Sequence, residues 1–183
     1  MKKYAVIVTD EQIDFVTGSL GTKEAQAITS DIVKFLREIE ATEEYDIYST
    51  HDTHHENYLD TQEGKNLPVI HTIEGTPGWE LIPELKEFEP HMINFNKPAF
   101  GSIELMMALK EAGYKKIILI GVCTGICVIS NAVLAKAALP EAEIIILENL
   151  CACVTPETHD TAIKEMTLLQ MKIEKYTEGM FVA

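Results

Sequence analysis

Long apolar runs are missing from this 183-residue sequence, and none approaches the roughly 20 residues that a membrane-crossing helix needs. The charged start Met1-Lys2-Lys3 leads into an apolar run at 5–8 that stops at Thr9-Asp10, too soon for a secretory core segment. A soluble, cytoplasmic protein is expected. Basic residues are scarce as well, 15 Lys and Arg against 29 Asp and Glu, for a net charge of −14. That balance excludes the cationic surface by which proteins grip nucleic acid or anionic membranes. Cysteine is limited to positions 123, 127, 151 and 153, spacings that fit neither a zinc ribbon nor a CxxC redox motif, so reduced thiols are expected in place of a disulfide framework. Internal repeats, linkers and low-complexity segments are lacking too. What remains is 46% hydrophobic, enough for one core and one domain over residues 1–183.

The periodicity of that apolar content alternates. Residues 4–9 form a short β-branched run, and 23–39 repeat apolar side chains at helical spacing. A strand at 45–50 empties into a polar, His- and Asp-rich segment at 51–78, long enough to carry function of its own. A short helix is predicted at 79–85, then a strand at 91–96 and a helix at 102–112. Strands at 116–121, 143–147 and 172–176 alternate with helices at 125–138 and 156–170, the rhythm of βαβ units. The runs 117–120 and 144–147 are continuously apolar, as strands covered on both faces are. The predicted fold is α/β, a doubly wound, mostly parallel six-stranded sheet with helices on both faces. Ligands in such sheets bind beyond the carboxyl ends of the strands. Asp10, Asp52, Lys97 and Cys127 all follow predicted strands.

Cys127 lies where strand 116–121 turns into helix 125–138, with Thr124 as the expected N-cap. In a first helical turn the helix dipole favours a thiolate, and backbone N–H groups are available to a developing oxyanion. Asp10 and Lys97, at the same sheet edge, offer a proton acceptor and a cation to stabilise the sulfur.

Asp10-x-Gln12-x-Asp14-Phe15, Lys97-x-x-Phe100-Gly101-Ser102 and Gly121-Val122-x-Thr124-x-x-Cys127-Val128 together resemble the three signatures of the isochorismatase-like cysteine hydrolases, in the family's order. The resemblance spans about residues 4–176. It implies a catalytic triad of Asp10, Lys97 and Cys127. It also implies a cis peptide between Val122 and Cys123 and an oxyanion hole from the backbone amides of Cys123 and Cys127. The Cys123 side chain is read as structural, and Cys151 and Cys153, in the turn after a strand, as packing residues.

Asp52-Thr53-His54 puts a carboxylate and an imidazole on one side of an extended chain, a pairing suited to a borderline divalent cation. The later His71, ahead of Gly75-Thr76-Pro77-Gly78, is similar to the nicotinamidase segment of the family. That resemblance implies Asp52, His54 and His71 as ligands of one metal ion, with Glu63 as a fourth. Asp60, His55 or water are alternatives to Glu63. Zinc suits this donor set, and iron or manganese also fit. His51, His55, His91 and His159 are read as solvated.

The subfamily resemblance implies hydrolysis of nicotinamide to nicotinate and ammonia, in NAD salvage, with Phe15 and Phe100 against the pyridine ring. A ring nitrogen at the metal and a carboxamide at the thiol use both halves of such a site. Leu67 and Ile103 depart from aromatic residues common in relatives. The alternative is another small carboxamide or carbamoyl substrate for the same triad. Isochorismate hydrolysis does not require the cysteine at 127, and a catalytically silent binding module would not need the intact triad. The family resemblance also implies a homo-oligomer.

Overall fold

A computed structural model describes residues 3–181. Met1 and Lys2, the charged start, lie outside the described residues, as do positions 182–183. Six strands form one sheet in the order β3-β2-β1-β4-β5-β6, with every pairing parallel. They are β1 (Tyr4–Thr9), β2 (Tyr45–Asp52), β3 (Met92–Lys97), β4 (Lys116–Val122), β5 (Glu143–Ala152) and β6 (Lys172–Glu174). The expected sheet is therefore found, without an antiparallel member.

Alternation along the strands separates two cores. Val6, Val8, Ile118, Ile120, Ile145 and Leu147 pack on one face against Ile32, Phe35, Leu36 and Ile39 of α2 (Lys23–Thr42). Ala5, Ile7, Ile117, Leu119, Ile144 and Ile146 face the other way. There they meet α4 (Ile103–Ala112), α5 (Ile129–Ala138) and α6 (Pro156–Leu168). Two-sided burial removes most of the apolar area of these strands from water, worth about 25 cal/mol per Å². It also explains their unbroken Ile, Val and Leu runs. Two short helices, α1 (Ile13–Val16) and α3 (Gln62–Asn66), lie at the carboxyl edge.

Several boundaries differ from the sequence reading for local reasons. The helix predicted at 79–85 is two 3₁₀ turns, Pro77–Trp79 and Pro83–Leu85, each opened by a proline. β5 runs past Leu147 to Ala152, because a bulge between Leu119 and Gly121 lets the pairing resume as Gly121↔Cys151 and Val122↔Ala152. Cys151 therefore lies within a strand and Cys153 directly after it. β6 stops at Glu174, and the Asn149 side chain takes over the pairing of Tyr176, accepting from its N–H and donating to its carbonyl. The helix predicted at 125–138 begins as one π-helical turn, Thr124–Val128, before α5. Thr124 does not cap it. Cys123 holds the cap position, and the Thr124 hydroxyl bonds the His159 ring at 2.8 Å.

The strand order reverses between β2-β1 and β4-β5, so β1 and β4 lie at the switch point where a crevice opens beyond the carboxyl ends. Asp10 follows β1 and Cys127 follows β4.

Candidate active site

Asp10 leaves β1 in the left-handed region, at φ 49°, which turns its carboxylate off the strand path. Its Oδ2 lies 2.7 Å from Lys97 Nζ, and the Thr50 hydroxyl donates to its Oδ1 at 2.7 Å. Lys97 ends β3, in register with Asp52 of β2. Its ammonium also donates to Asp52 Oδ1 at 3.3 Å and to Cys127 Sγ at 3.6 Å. Asp10 and Lys97 have no exposure to solvent, and Cys127 is buried. Lys97 thus joins the other two residues read from the sequence as a triad, and the Asp10 carboxylate acts on the Cys127 thiol.

β4 reaches this point only with glycine at 121. Its φ is 108°, and a Cβ there would fall 2.2 Å from the Thr9 carbonyl oxygen of β1. The Val122–Cys123 peptide is cis, as the resemblance implied.

Burial and close charges together set the proton affinities here. Burial pushes the Cys127 thiol well above its ordinary value, the Asp10 charge adds to the push, and Lys97 opposes it. Burial and the neighbouring carboxylate thus oppose the thiolate that a helix start favours, here at a helix that opens with a π turn. Burial likewise raises Asp10 against the pull of Lys97. Burial works against the Lys97 charge, but Asp10, Cys127 and Asp52 together hold the ammonium strongly protonated. A neutral thiol beside a carboxylate of raised proton affinity is arranged for proton transfer between them.

A second cluster shares Asp52. Its Oδ2 lies 3.0 Å from His54 Nε2 and 3.4 Å from His71 Nε2, and Glu63 Oε1 lies 3.5 and 3.7 Å from the same two nitrogens. One ligand atom from each residue falls within 4.8 Å of the others. Two observations fit a divalent cation. His71 Nδ1 is 2.7 Å from the Val69 carbonyl, so it carries the proton and leaves the Nε2 lone pair facing the cluster. Buried His54 Nε2 has no well-aligned hydrogen-bond partner among the described residues, although two carboxylates surround it. Burial disfavours a charge on His54, yet Asp52 and Glu63 bring its pKa up to about 9. Burial likewise opposes a charge on Asp52, but the two imidazoles and Lys97 keep its carboxyl far below the usual range. The group therefore favours positive charge at its centre, and its N/O donors suit a divalent metal. His55 and Asp60, the alternatives to Glu63, are exposed outside this group, and His55 faces Glu74 at 3.6 Å.

Further residues hold these side chains in place. Gln12 donates to the Asp52 and Trp79 carbonyls and accepts from the Asp52 N–H. Asp14 accepts from the Thr72 N–H at 2.8 Å, and the Thr72 hydroxyl donates to Asp52 Oδ2 at 2.9 Å. Tyr58, buried, sets its ring 4.6 Å from that of His54 and 4.9 Å from that of His71. Asn131 donates to the Cys127 and Phe100 carbonyls and accepts from the Ser102 N–H, tying α5 to the loop after Lys97. Gln12 and Asp14 stood in a quoted motif without a role. Tyr58, Thr72 and Asn131 were missed, and no local pattern marked them.

The clusters share a pocket of about 300 Å³ whose walls include Phe15, Leu67, Phe100, Cys123 and Cys127, with Asp52, Glu63 and His71 among the polar groups. Phe15 meets His71 edge-on at 5.5 Å. A wider groove of about 610 Å³ adjoins through Glu63, Leu67, Phe100 and Ile126. Ile103 is 64% exposed at the start of α4 and does not line the pocket. His51, expected in solvent, is buried edge-on to Trp79 at 5.6 Å, and burial lowers its pKa to about 4. His159 is half-buried against Thr124, and His91 is exposed beside Glu40.

The chain belongs to the isochorismatase family: the isochorismatase domain matches residues 4–175. It is 33% identical over 145 residues to the uncharacterized isochorismatase family protein PncA of Bacillus subtilis (strain 168), covering 73% of this chain and 78% of the relative. Two solved structures resemble it throughout. Nicotinamidase PncA from Bacillus subtilis superposes with a TM-score of 0.82 at 25% identity, covering 94% of this chain and 99% of that one. The pyrazinamidase of Pyrococcus horikoshii in complex with zinc gives 0.82 at 27%, covering 95% and 99%. The fold alone is shared with N-carbamoylsarcosine amidase from Thermoplasma acidophilum, TM-score 0.80 at 24% identity, covering 98% and 100%. A hydrolase of the isochorismatase family is the class that family and fold define. No helix among the described residues is long and apolar enough to cross a membrane.

Proposed function

We propose that the protein is a nicotinamidase, hydrolysing nicotinamide to nicotinate and ammonia in NAD salvage. The observation that carries this reading is one pocket bounded by both a buried Asp-Lys-Cys cluster and an Asp-His-Glu-His cluster. Asp10 takes the Cys127 proton as the sulfur attacks the amide carbon, while Lys97 compensates the charge developing on sulfur. The backbone amides of Cys123 and Cys127 receive the oxyanion, and Asp10 returns its proton to the leaving ammonia. Asp10 then takes a proton from water, which opens the thioester and releases nicotinate and the Cys127 thiol. A divalent metal held by Asp52, His54, His71 and Glu63, zinc or else iron or manganese, would act as a Lewis acid toward the ring nitrogen. Phe15 and Phe100 flank the ring.

A second reading is hydrolysis of another small carboxamide or carbamoyl compound by the same residues. Leu67 favours it, since a flexible aliphatic side chain lines this pocket and does not select for a flat ring. We further propose a cytoplasmic protein that self-associates, without nucleic-acid or membrane partners.

Ammonia release from nicotinamide, pyrazinamide and a panel of linear amides and carbamoyl compounds tests these readings on metal-replete protein, with Cys127→Ala as control. Turnover of nicotinamide that is lost in Cys127→Ala is the expected result. Turnover of linear compounds alone discards nicotinamide and keeps the cysteine mechanism, and turnover that survives in Cys127→Ala overturns both readings.

A further inference from the structure

Cys127 sits in a single π-helical turn, a form that is rare and recurs at functional sites. Its hydrogen bonds show what the wider turn achieves. The Cys123 carbonyl accepts from the Ile126 and Val128 N–H groups and not from that of Cys127. In an ordinary α-helical turn that carbonyl takes the N–H four residues on, which here belongs to Cys127. The π turn therefore leaves free one of the two backbone amides that the proposed reaction assigns to the oxyanion.

Two helices grip this turn from outside. From α5, Asn131 donates to the Cys127 carbonyl at 2.9 Å. From α6, His159 Nδ1 and the Thr124 hydroxyl share a hydrogen bond of 2.8 Å. Thr124 has no exposure to solvent, so water cannot replace that partner at its hydroxyl. The next residue backs onto the same helix, since a Cβ at Gly125 would lie 3.5 Å from both the Thr158 carbonyl oxygen and the Ala162 Cβ. The start of α6 is itself fixed by Pro156 and by a capping box between Thr155 and Thr158. The His159 N–H donates to the Thr155 carbonyl at 3.1 Å, which sets the ring on this anchored first turn. A residue read from the sequence as solvated is thus half-buried with one ring nitrogen committed to the turn of the nucleophile.

We propose that His159 is a positioning residue for hydrolysis at Cys127, holding the turn in its π form through the Thr124 hydroxyl. Thr124 follows Cys123 directly and stands three residues before Cys127, between the two oxyanion amides. With the His159 bond in place, Thr124 cannot rotate into the tighter α turn. Without it, the turn closes, the Cys123 carbonyl takes the Cys127 N–H, and the oxyanion loses that donor. A donor used chiefly in the transition state acts on kcat and leaves KM nearly unchanged. The kinetic consequence rests on the proposed function, whereas the state of the Cys127 amide does not.

Metal-replete full-length protein carrying ¹⁵N-labelled cysteine tests both. His159→Ala is expected to lower kcat for nicotinamide about tenfold or more with KM within about twofold. Thr124→Val, which removes only the hydroxyl, should do the same, and the double variant should be no slower than either single one. His159→Asn, whose side-chain amide reaches the place of Nδ1, should restore most of kcat. In the NMR spectrum the Cys127 amide, assigned with Cys127→Ser, should exchange with water at least about threefold more slowly in His159→Ala and Thr124→Val. Thermal unfolding verifies that each variant is folded at the assay temperature. Unaltered kcat in both folded variants, a loss that lies in KM alone, or a Cys127 amide whose exchange does not slow overturns the positioning role. Absence of turnover in the unaltered protein, with the Cys127 amide responding as stated, counts against the proposed function and leaves this role of His159 standing.

Discussion

The two polar clusters at the carboxyl edge meet at one carboxylate and balance charge differently. Around Lys97, an ammonium faces Asp10, Asp52 and the Cys127 thiol with almost no solvent, so the cation is supplied by the chain itself. Around His54, two carboxylates face two imidazoles, and among the described residues Lys97 touches the group only through Asp52 Oδ1, so further positive charge at its centre comes from a proton or a metal. Asp52 serves both, Oδ1 to Lys97 and Oδ2 to the histidines. A self-contained cluster suits proton transfer, and a cation-seeking one suits binding and orientation.

Removing the internal cation is the sharpest way to break this contrast. Lys97→Met is expected to lower amide turnover by about 1,000-fold or more, while metal content by atomic emission stays near that of the unaltered protein. Equal loss of metal would make the clusters one unit. Asp52→Asn should damage both, with metal affinity down about 100-fold in competition with a chromogenic chelator and turnover reduced together with it. A Lys97→Met/His54→Ala cycle measures the coupling through Asp52, expected at about 0.5–3 kcal/mol.

Glu11, next to Asp10, sharpens the comparison, being a buried carboxyl with neither a cation nor a hydrogen-bond partner among the described residues. Burial, then the Asp10 charge, raises its pKa to about 8 from an ordinary 4.5. Between those values the unfolded chain releases a proton that the folded chain keeps, so stability falls as pH rises through this window. Urea unfolding between about pH 5.5 and pH 7.5 should show a loss of about 2 kcal/mol that Glu11→Gln removes. An unchanged slope in Glu11→Gln would mean the carboxyl finds a partner. The smallest effect is expected from Thr72→Val, which deletes one hydrogen bond to Asp52 Oδ2 and should weaken metal binding about tenfold without altering the pH dependence of turnover.

Legibility followed range in the chain. The Ile and Val runs of β1, β4 and β5 announced doubly covered strands because that burial demands an unbroken apolar sequence. Asp10, Lys97 and Cys127 stood out because each follows a strand and matches a motif. Beyond these, the reading failed where distant contacts override local pattern. His51 looked like a solvated loop residue, yet β2 continues through it and Trp79 covers it. The strand read at 143–147 continues to Ala152, because a bulge carries β5 onward.

By itself, the sequence determined the class of fold and the order of its elements, and its resemblance to a family marked the candidate reacting and metal-binding side chains, since periodicity and short motifs are local properties of the chain. Only the tertiary structure decided that Asp52 joins two clusters and that Tyr58 and Asn131 support them. Those facts depend on register between strands far apart in sequence. The proton affinities belong with them, because burial raises Asp10 and Cys127 while close charges overcome it at Lys97, and neither acts until the sheet and helices have closed around the site.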